Sequence, residues 1–280
     1  MCWKRPLAFF VSKQENDMQS PPKLLTIAGS DSGGAAGLQA DLRTWAVLGA
    51  YGICAITAVT AQNSLAVQAA QFMPPALIAA QLDAVLSDYG AAGAKTGFLG
   101  RVDVIETVAA KLRQFAMPHV VIDPVLVNHR QESMFPQEVT QAYIEHLFPL
   151  AELVTPNLAE IGLIVGSDVQ TWAEAETAVR QLHDFGIKNV LLKRIPHQNK
   201  FIDLLFDGEQ SIPLETAVLD TTNTHGSGDT LSAAACAFLA RGDGIETAVC
   251  QAHAFTARAI QNAASWQFSA GHGPIWPTPH

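Results

Sequence analysis

The sequence predicts an α/β protein in which a mainly parallel central sheet carries helices on both faces. Three observations predict it. Strand-like apolar runs alternate with helix-like stretches along nearly the whole chain, the pattern that builds β-α-β units. The run at 52–60 is apolar on both faces, as a strand covered on both sides must be. With 49% of the 280 residues hydrophobic and 15% charged, there is enough apolar material for a large core.

The elements follow in order. Residues 24–28 form a short apolar run closed by Gly29, and a glycine-rich stretch follows. Residues 38–48 show helical spacing through Leu38, Leu42, Trp45 and Leu48. Residues 52–60 read as a buried strand. Pro74 and Pro75 open a helix whose stripe takes in Ile78, Leu82, Val85 and Leu86, since proline suits a first helical turn. Residues 92–98 are strand-like and 102–115 helical. The second half continues with a strand at 119–127, a helix at 137–148, a strand at 152–155 and a short helix at 158–165. An amphipathic helix at 172–185 and a strand at 189–193 come next. Residues 201–206 and 210–214 flank Asp207-Gly208-Glu209, a hairpin signal. Helices at 229–239 and 245–264 close the chain. Patterning starts near Lys23, so residues 1–22 are expected to form a disordered extension and residues 23–280 a single domain.

Composition excludes several classes. A formal charge of −9 argues against nucleic acid or anionic membrane as a partner, because both call for a cationic face. The apolar run at 7–11 is too short for a secretory leader, and no stretch approaches the ~20 apolar residues of a membrane span. A cytoplasmic protein is expected. Cys2, Cys54, Cys236 and Cys250 make no CxxC pair; three of them lie in apolar stretches and read as buried free thiols. The nine histidines show no HxxxH or HExxH spacing, which argues against a histidine-held catalytic metal.

The strongest chemical signal is Asn223-Thr224-His225-Gly226-Ser227-Gly228-Asp229-Thr230, ahead of an alanine-rich helix. Gly226 and Gly228 let the backbone turn tightly and aim amides inward, and a helix start adds roughly half a positive charge. With Ser227 they form a hole for a phosphoryl group in transfer. A carboxylate at Asp229 can accept the proton of an attacking hydroxyl at the same point. The plainer reading makes Asp229 a helix cap. No GxxxxGK[ST] loop occurs, so this is not a Walker-type site. The second signal is the small-residue stretch at 29–37, which permits close backbone approach by a ligand. A strict GxGxxG is missing there, which counts against a dinucleotide-dependent redox enzyme.

Nine segments then carry a resemblance: TIAGSDSGGAAGLQAD (26–41), LGAYG (48–52), TAVTAQN (57–63), QLDAV (81–85), AKTGFLG (94–100), VVIDPV (120–125), LVTPNLAE (153–160), NTHGSGDTLSAA (223–234) and GHGP (271–274). Together they closely resemble the hydroxymethylpyrimidine/phosphomethylpyrimidine kinases of thiamin biosynthesis, over nearly the whole chain from about residue 23. The resemblance implies a ribokinase-like three-layer sandwich that uses ATP and Mg2+. It implies phosphoryl transfer to 4-amino-5-hydroxymethyl-2-methylpyrimidine, with a second transfer to the monophosphate left open. Gln62 would read the pyrimidine edge, where a carboxamide offers both donor and acceptor. Gly29, Ala36, Phe98 and Val125 would shape the slot for the flat ring. Asp41 would lie near the same pocket, or serve only as a polar residue of the first helix. Asp123 and Glu160 correspond to acidic positions that hold Mg2+, and Asn157 and Lys193 to contacts with nucleotide phosphates. The plain alternatives are a solvated helix residue for Glu160 and a strand-end surface charge for Lys193.

The chain departs from that family at three places. Cysteine is common where this chain has Asp229, aspartate being the choice of the wider superfamily. After Asp123 the family reads close to AKSG, whereas here Val127 is followed by Asn128, His129, Arg130, Gln131 and Glu132. After Lys193 the usual Gly-Gly gives way to Arg194-Ile195-Pro196. The last two changes fall near the expected phosphates and put the second phosphorylation in question, with His129, Arg130 and Arg194 as substitute cations. The rivals are a pyridoxal or pyridoxine kinase and a catalytically silent pyrimidine-binding regulatory protein. The expected partner is the small-molecule substrate, with a homo-oligomer, a dimer first, pairing through the hairpin strands at 201–214.

Overall fold

In the computed structural model, which describes residues 20–128, 130–197, 200–216 and 219–278, nine strands form one sheet. They are β1 (Lys23–Asp31), β2 (Tyr51–Gln62), β3 (Val67–Phe72), β4 (Gly93–Thr96), β5 (Val120–Ile122), β6 (Leu153–Val154), β7 (Val190–His197), β8 (Lys200–Phe206) and β9 (Ser211–Thr216). Their order is β3-β2-β1-β4-β5-β6-β7-β8-β9. The joins from β2 across to β7 are parallel, while β3, β8 and β9 pair antiparallel.

Helices cover both faces, each because one stripe of its surface is apolar. On one face α2 (Pro75–Asp88), α3 (Val102–Gln114), α4 (Gln137–Ala142), α5 (Leu158–Val165) and α6 (Trp172–Asp184) press a core that includes Ile78, Leu82, Val108, Leu112, Ile161 and Leu182 against the sheet. On the other face α1 (Gly37–Leu48), α7 (Ser227–Ala240) and α8 (Ile245–Ala263) gather a core around Trp45, Leu48, Leu231, Phe238 and Phe255. Trp45 is fully buried and donates its indole N–H to the Ala233 carbonyl at 2.8 Å, which ties α1 to α7. A buried indole needs such a partner.

Several elements differ from the expectation. β3 has almost no apolar alternation and lies exposed at the sheet edge. β5 stops at Ile122 rather than 127, because Pro124 has no amide to donate and Val125 turns to a φ of +39°. The helix expected over 137–148 ends as α4 at Ala142, then widens into a π-turn at Tyr143–Leu147 and a 3-10 turn at Phe148–Leu150; Pro149 cannot continue the hydrogen-bond ladder. β7 runs on to His197, past a bulge between Leu192 and Ile195. β8 is flanked by β7 and β9, so its backbone is already paired, and within the hairpin only β9 has an open edge.

The expected extension lies largely outside the described residues, as does His129; the Pro22 carbonyl already accepts the Tyr51 amide at 2.9 Å. Cys54 and Cys236 are free thiols, whereas Cys250 is disulfide-bonded rather than free. Among the described residues no helix is long and apolar enough to cross a membrane. The parallel strands point their carboxyl ends toward the starts of α1, α5 and α7, the place where ligands gather in such sheets.

Candidate active site

Two glycine loops meet at this end of the sheet. Asp31 closes β1 and draws the first loop around its own carboxylate, which accepts the amides of Gly33, Ala35 and Ala36 at 2.8 to 2.9 Å. The loop's amides are therefore turned on an acid of the same chain. Gly226 stands against this loop with a φ of +82°, and a Cβ there would come 1.8 Å from the Ala35 carbonyl oxygen. Only glycine permits that contact. The close backbone approach is thus between the two loops themselves. The GHGP segment braces the second loop from behind: the His225 amide donates to the Gly273 carbonyl at 2.9 Å, and the Asn223 amide group donates to the Ala263 and Trp266 carbonyls.

The second loop ends in α7, whose N-cap is Gly226 with no side-chain cap. Asp229 is therefore not the helix cap. Its Oδ1 instead accepts from Lys95 Nζ at 2.9 Å, and Lys95 also bonds both oxygens of Asp41, at 2.8 and 3.0 Å. Lys95 and Asp41 are fully buried, whereas the Asp229 side chain keeps 17% exposure. Burial raises the Asp41 pKa to about 7, with Lys95 opposing and Asp229 adding to the rise. Burial also works against the Asp229 carboxylate, but Lys95, the Gly37 amide and His225 outweigh it and hold its pKa below the ordinary value. For Lys95, burial favours proton loss, but Asp229, Asp41 and Asp123 outweigh it and keep the ammonium charged.

A second ion pair flanks the same helix start. Lys193 Nζ lies 3.2 Å from Asp123 Oδ1, and a Cβ on Gly228 would sit 3.5 Å from that ammonium and 3.7 Å from Asp123 Oδ2. Ser232, one turn into α7, donates toward Asp123 Oδ2 at 3.3 Å. The Ser227 amide is taken by the Thr224 carbonyl at 3.1 Å, so Ser227 offers no amide to an anion hole. Among the described residues the Gly226 and Gly228 amides have no backbone acceptor of this kind.

The other expected residues fall into three groups. Gly29 lies against Phe98, whose ring stacks on Phe72 with centroids 5.6 Å apart and tilts by 49° against Phe135 at 5.7 Å. Ala36 is the N-cap of α1, and Gln62 closes β2 with its Nε2 3.2 Å from His225 Nε2. Val125 stands in the turn after β5. Two expectations need correcting. Asp41 is no part of a pocket wall, being sealed beneath Lys95. Glu160 is not a solvated helix residue: it is buried, with one oxygen on the Asn157 amide at 2.9 Å and the other on the Leu126 amide at 3.1 Å. Asn157 reciprocates from the N-cap, so the two make a capping box at the start of α5.

Lys95 is the residue that motif reading passed over. Its signal was present, a lysine inside the four-residue strand Gly93–Thr96 that is buried throughout. A lysine there demands an acid. Arg194 does not face the ion pairs, since its guanidinium lies 4.8 Å over the Phe201 ring. Its φ of +60° explains why glycine suits that position elsewhere.

Known proteins show which family the chain resembles. The family described as phosphomethylpyrimidine kinase is matched over residues 31–276. The hydroxymethylpyrimidine/phosphomethylpyrimidine kinase of Synechococcus elongatus is 42% identical over 256 residues, covering 91% of this chain and 96% of that one. The thiamine biosynthesis bifunctional protein ThiED of Geobacter sulfurreducens is 40% identical over 254 residues, or 90% of this chain, which spans about half (51%) of that longer protein. Among solved structures, an ADP complex of Bacillus subtilis pyridoxal kinase shares 37% identity at a TM-score of 0.85, covering 92% of this chain and 97% of that one. With a ribokinase-like α/β sandwich, a family match over residues 31–276 and a relative 42% identical over 91% of this chain, the chain belongs to the phosphomethylpyrimidine kinase family.

Proposed function

We propose that the chain transfers the terminal phosphoryl group of ATP to the hydroxymethyl oxygen of 4-amino-5-hydroxymethyl-2-methylpyrimidine, a step of thiamin biosynthesis. The observation that carries the reading is the placement of Asp229. It is an ionised carboxylate at the start of α7, partly exposed and beside the glycines of an anion hole. In the reaction the alcohol O–H bond breaks toward Asp229, the oxygen bonds to the terminal phosphorus, and the bond to ADP breaks with its electron pair leaving on ADP. The Gly226 and Gly228 amides and the helix start hold charge on the transferred group. Lys193 draws the phosphates toward the same point.

A magnesium ion fits this site in a limited way. Among the described residues no three acidic or histidine side chains cluster, yet Mg2+ needs only one or two carboxylates besides water and substrate phosphates. Asp123 would hold it, while Glu160, whose two oxygens each already accept a backbone amide, would serve the frame of the site first. Bound there, the ion would supply positive charge to offset that of the phosphates.

Pyridoxal is the second reading, favoured by the likeness to the Bacillus subtilis structure. Against it stands Gln62, whose Oε1 takes the Thr60 hydroxyl at 3.3 Å while Nε2 faces His225. That leaves the amide one donor and one acceptor site for an aminopyrimidine edge. ADP release with hydroxymethylpyrimidine, its monophosphate and pyridoxal separates the readings. Hydroxymethylpyrimidine should give the higher kcat/KM. A preference of tenfold or more for pyridoxal, about 1.4 kcal/mol, would move the assignment to the second reading. Monophosphate should accumulate, because Arg194 is engaged with Phe201 and the Arg130 and Glu132 amides are taken by the Asn128 side chain. Prompt, complete conversion to diphosphate would contradict that.

A further inference from the structure

Around Lys95 two carboxylates share one ammonium. Its three bonds, to both oxygens of Asp41 and to Asp229 Oδ1, span 2.8 to 3.0 Å, and Thr26 adds a hydroxyl to Asp41 Oδ2 at 2.6 Å. Two of the three charged groups are sealed from solvent, and only Asp229 reaches the cleft. Gly97 leaves the space above them open, since a Cβ there would lie 3.2 Å from Lys95 Nζ and 3.9 Å from Asp229 Oδ1. With Lys95 charged, the cluster carries one surplus negative charge in a medium where such a charge is costly.

We propose that Lys95 and Asp41 are positioning residues that set the orientation and proton affinity of Asp229. The proposal rests on the reading of Asp229 as the base. Lys95 fixes the carboxylate by a charged hydrogen bond, which alone would make it a weak base. Asp41, on the far side of the same ammonium, competes for that charge and limits how far the Asp229 pKa falls. When Asp229 takes the alcohol proton, the surplus charge vanishes and a neutral Lys95–Asp41 pair remains. The groups that face this cluster are Thr26 from β1, Asp41 and the Gly37 amide from α1, Asp123 from beyond β5, and Lys193 from β7. His225 stands in the loop before α7, and Cys236 lies further along that helix. Of these, Asp41 makes the shortest contact with Lys95, 2.8 Å against 2.9 Å for Asp229 itself, so it is the group whose removal Asp229 should register.

A thiol at position 229 reports on this without requiring turnover. In Asp229→Cys, the pH dependence of alkylation, followed only for the peptide that carries position 229, gives the titration midpoint. The midpoint should lie at least one unit below the ~8.5 of a free cysteine. Adding Asp41→Asn should lower it by about one further unit, because Lys95 is then undivided. A midpoint at or above 8.5 in the single variant overturns the part given to Lys95. An unmoved or raised midpoint in the double variant overturns the part given to Asp41. The single variant keeps the test decisive should the double variant fail to fold. Because no phosphoryl transfer is measured, an inactive enzyme in the ADP-release assay counts against the proposed function and not against this cluster.

Discussion

At the scale of residues, the site separates acids that act from acids that hold the frame. Asp123 and Glu160 look alike in the sequence, yet one faces an ammonium at the start of α7 and the other closes a capping box. Their substitutions should therefore differ in kind. Asp123→Asn should raise the Mg2+ concentration for half-maximal activity by about tenfold or more. Glu160→Ala should leave that concentration within about twofold and instead lower unfolding stability by about 1–3 kcal/mol, having stranded the Leu126 and Asn157 amides. Magnesium titration of activity beside urea unfolding checks both, and an equal Mg2+ defect in Glu160→Ala would reinstate it as a ligand. Asp229 was legible from its glycines and helix. Lys95 was not, because its role depends on Asp41 and Asp229, which lie 54 and 134 positions away. No local spacing encodes that meeting.

At the scale of elements, the two glycine loops behave as one unit. Gly226→Ala would place a methyl group against the Ala35 carbonyl and force a left-handed conformation on a residue that resists it. The loops must separate, moving Asp229 and the amides beside it. A drop in kcat of about two orders of magnitude is expected, as for a misplacement near 1 Å. Steady-state kinetics on folded variant protein decides it, and near-wild-type turnover would mean that the loops can part freely. Most elements were legible because their apolar residues keep a period: the stripes of α2, α3 and α6 and the runs of β1 and β2 fall where they were expected. β3 was not, because an exposed edge strand held by one neighbour needs no apolar alternation. β5 was read too long because Pro124, Val125, Leu126 and Val127 resume the apolar run after Asp123 while the backbone has already turned.

At the scale of the whole molecule, the sheet brings two ion pairs from four strand ends and helix starts to one point. Lys95 arrives on β4 and Lys193 on β7, with Asp41 from α1 and Asp123 from the end of β5. The start of α7 lies between them, so the helix dipole, two amides and one exposed carboxylate converge where a phosphoryl group would pass. The parallel order of β2 through β7 was legible from the alternation of elements, because right-handed crossovers leave few other arrangements. The meeting of the ion pairs follows only once that order is built. Single-turnover phosphorylation of hydroxymethylpyrimidine by wild type and Asp229→Asn tests the account most directly. The substitution should slow transfer by roughly two to four orders of magnitude while the KM for ATP stays within about threefold, because the Gly226 and Gly228 amides and Lys193 are untouched. If Asp229→Asn kept near-wild-type transfer, the carboxylate would not be the base and the mechanism would be wrong.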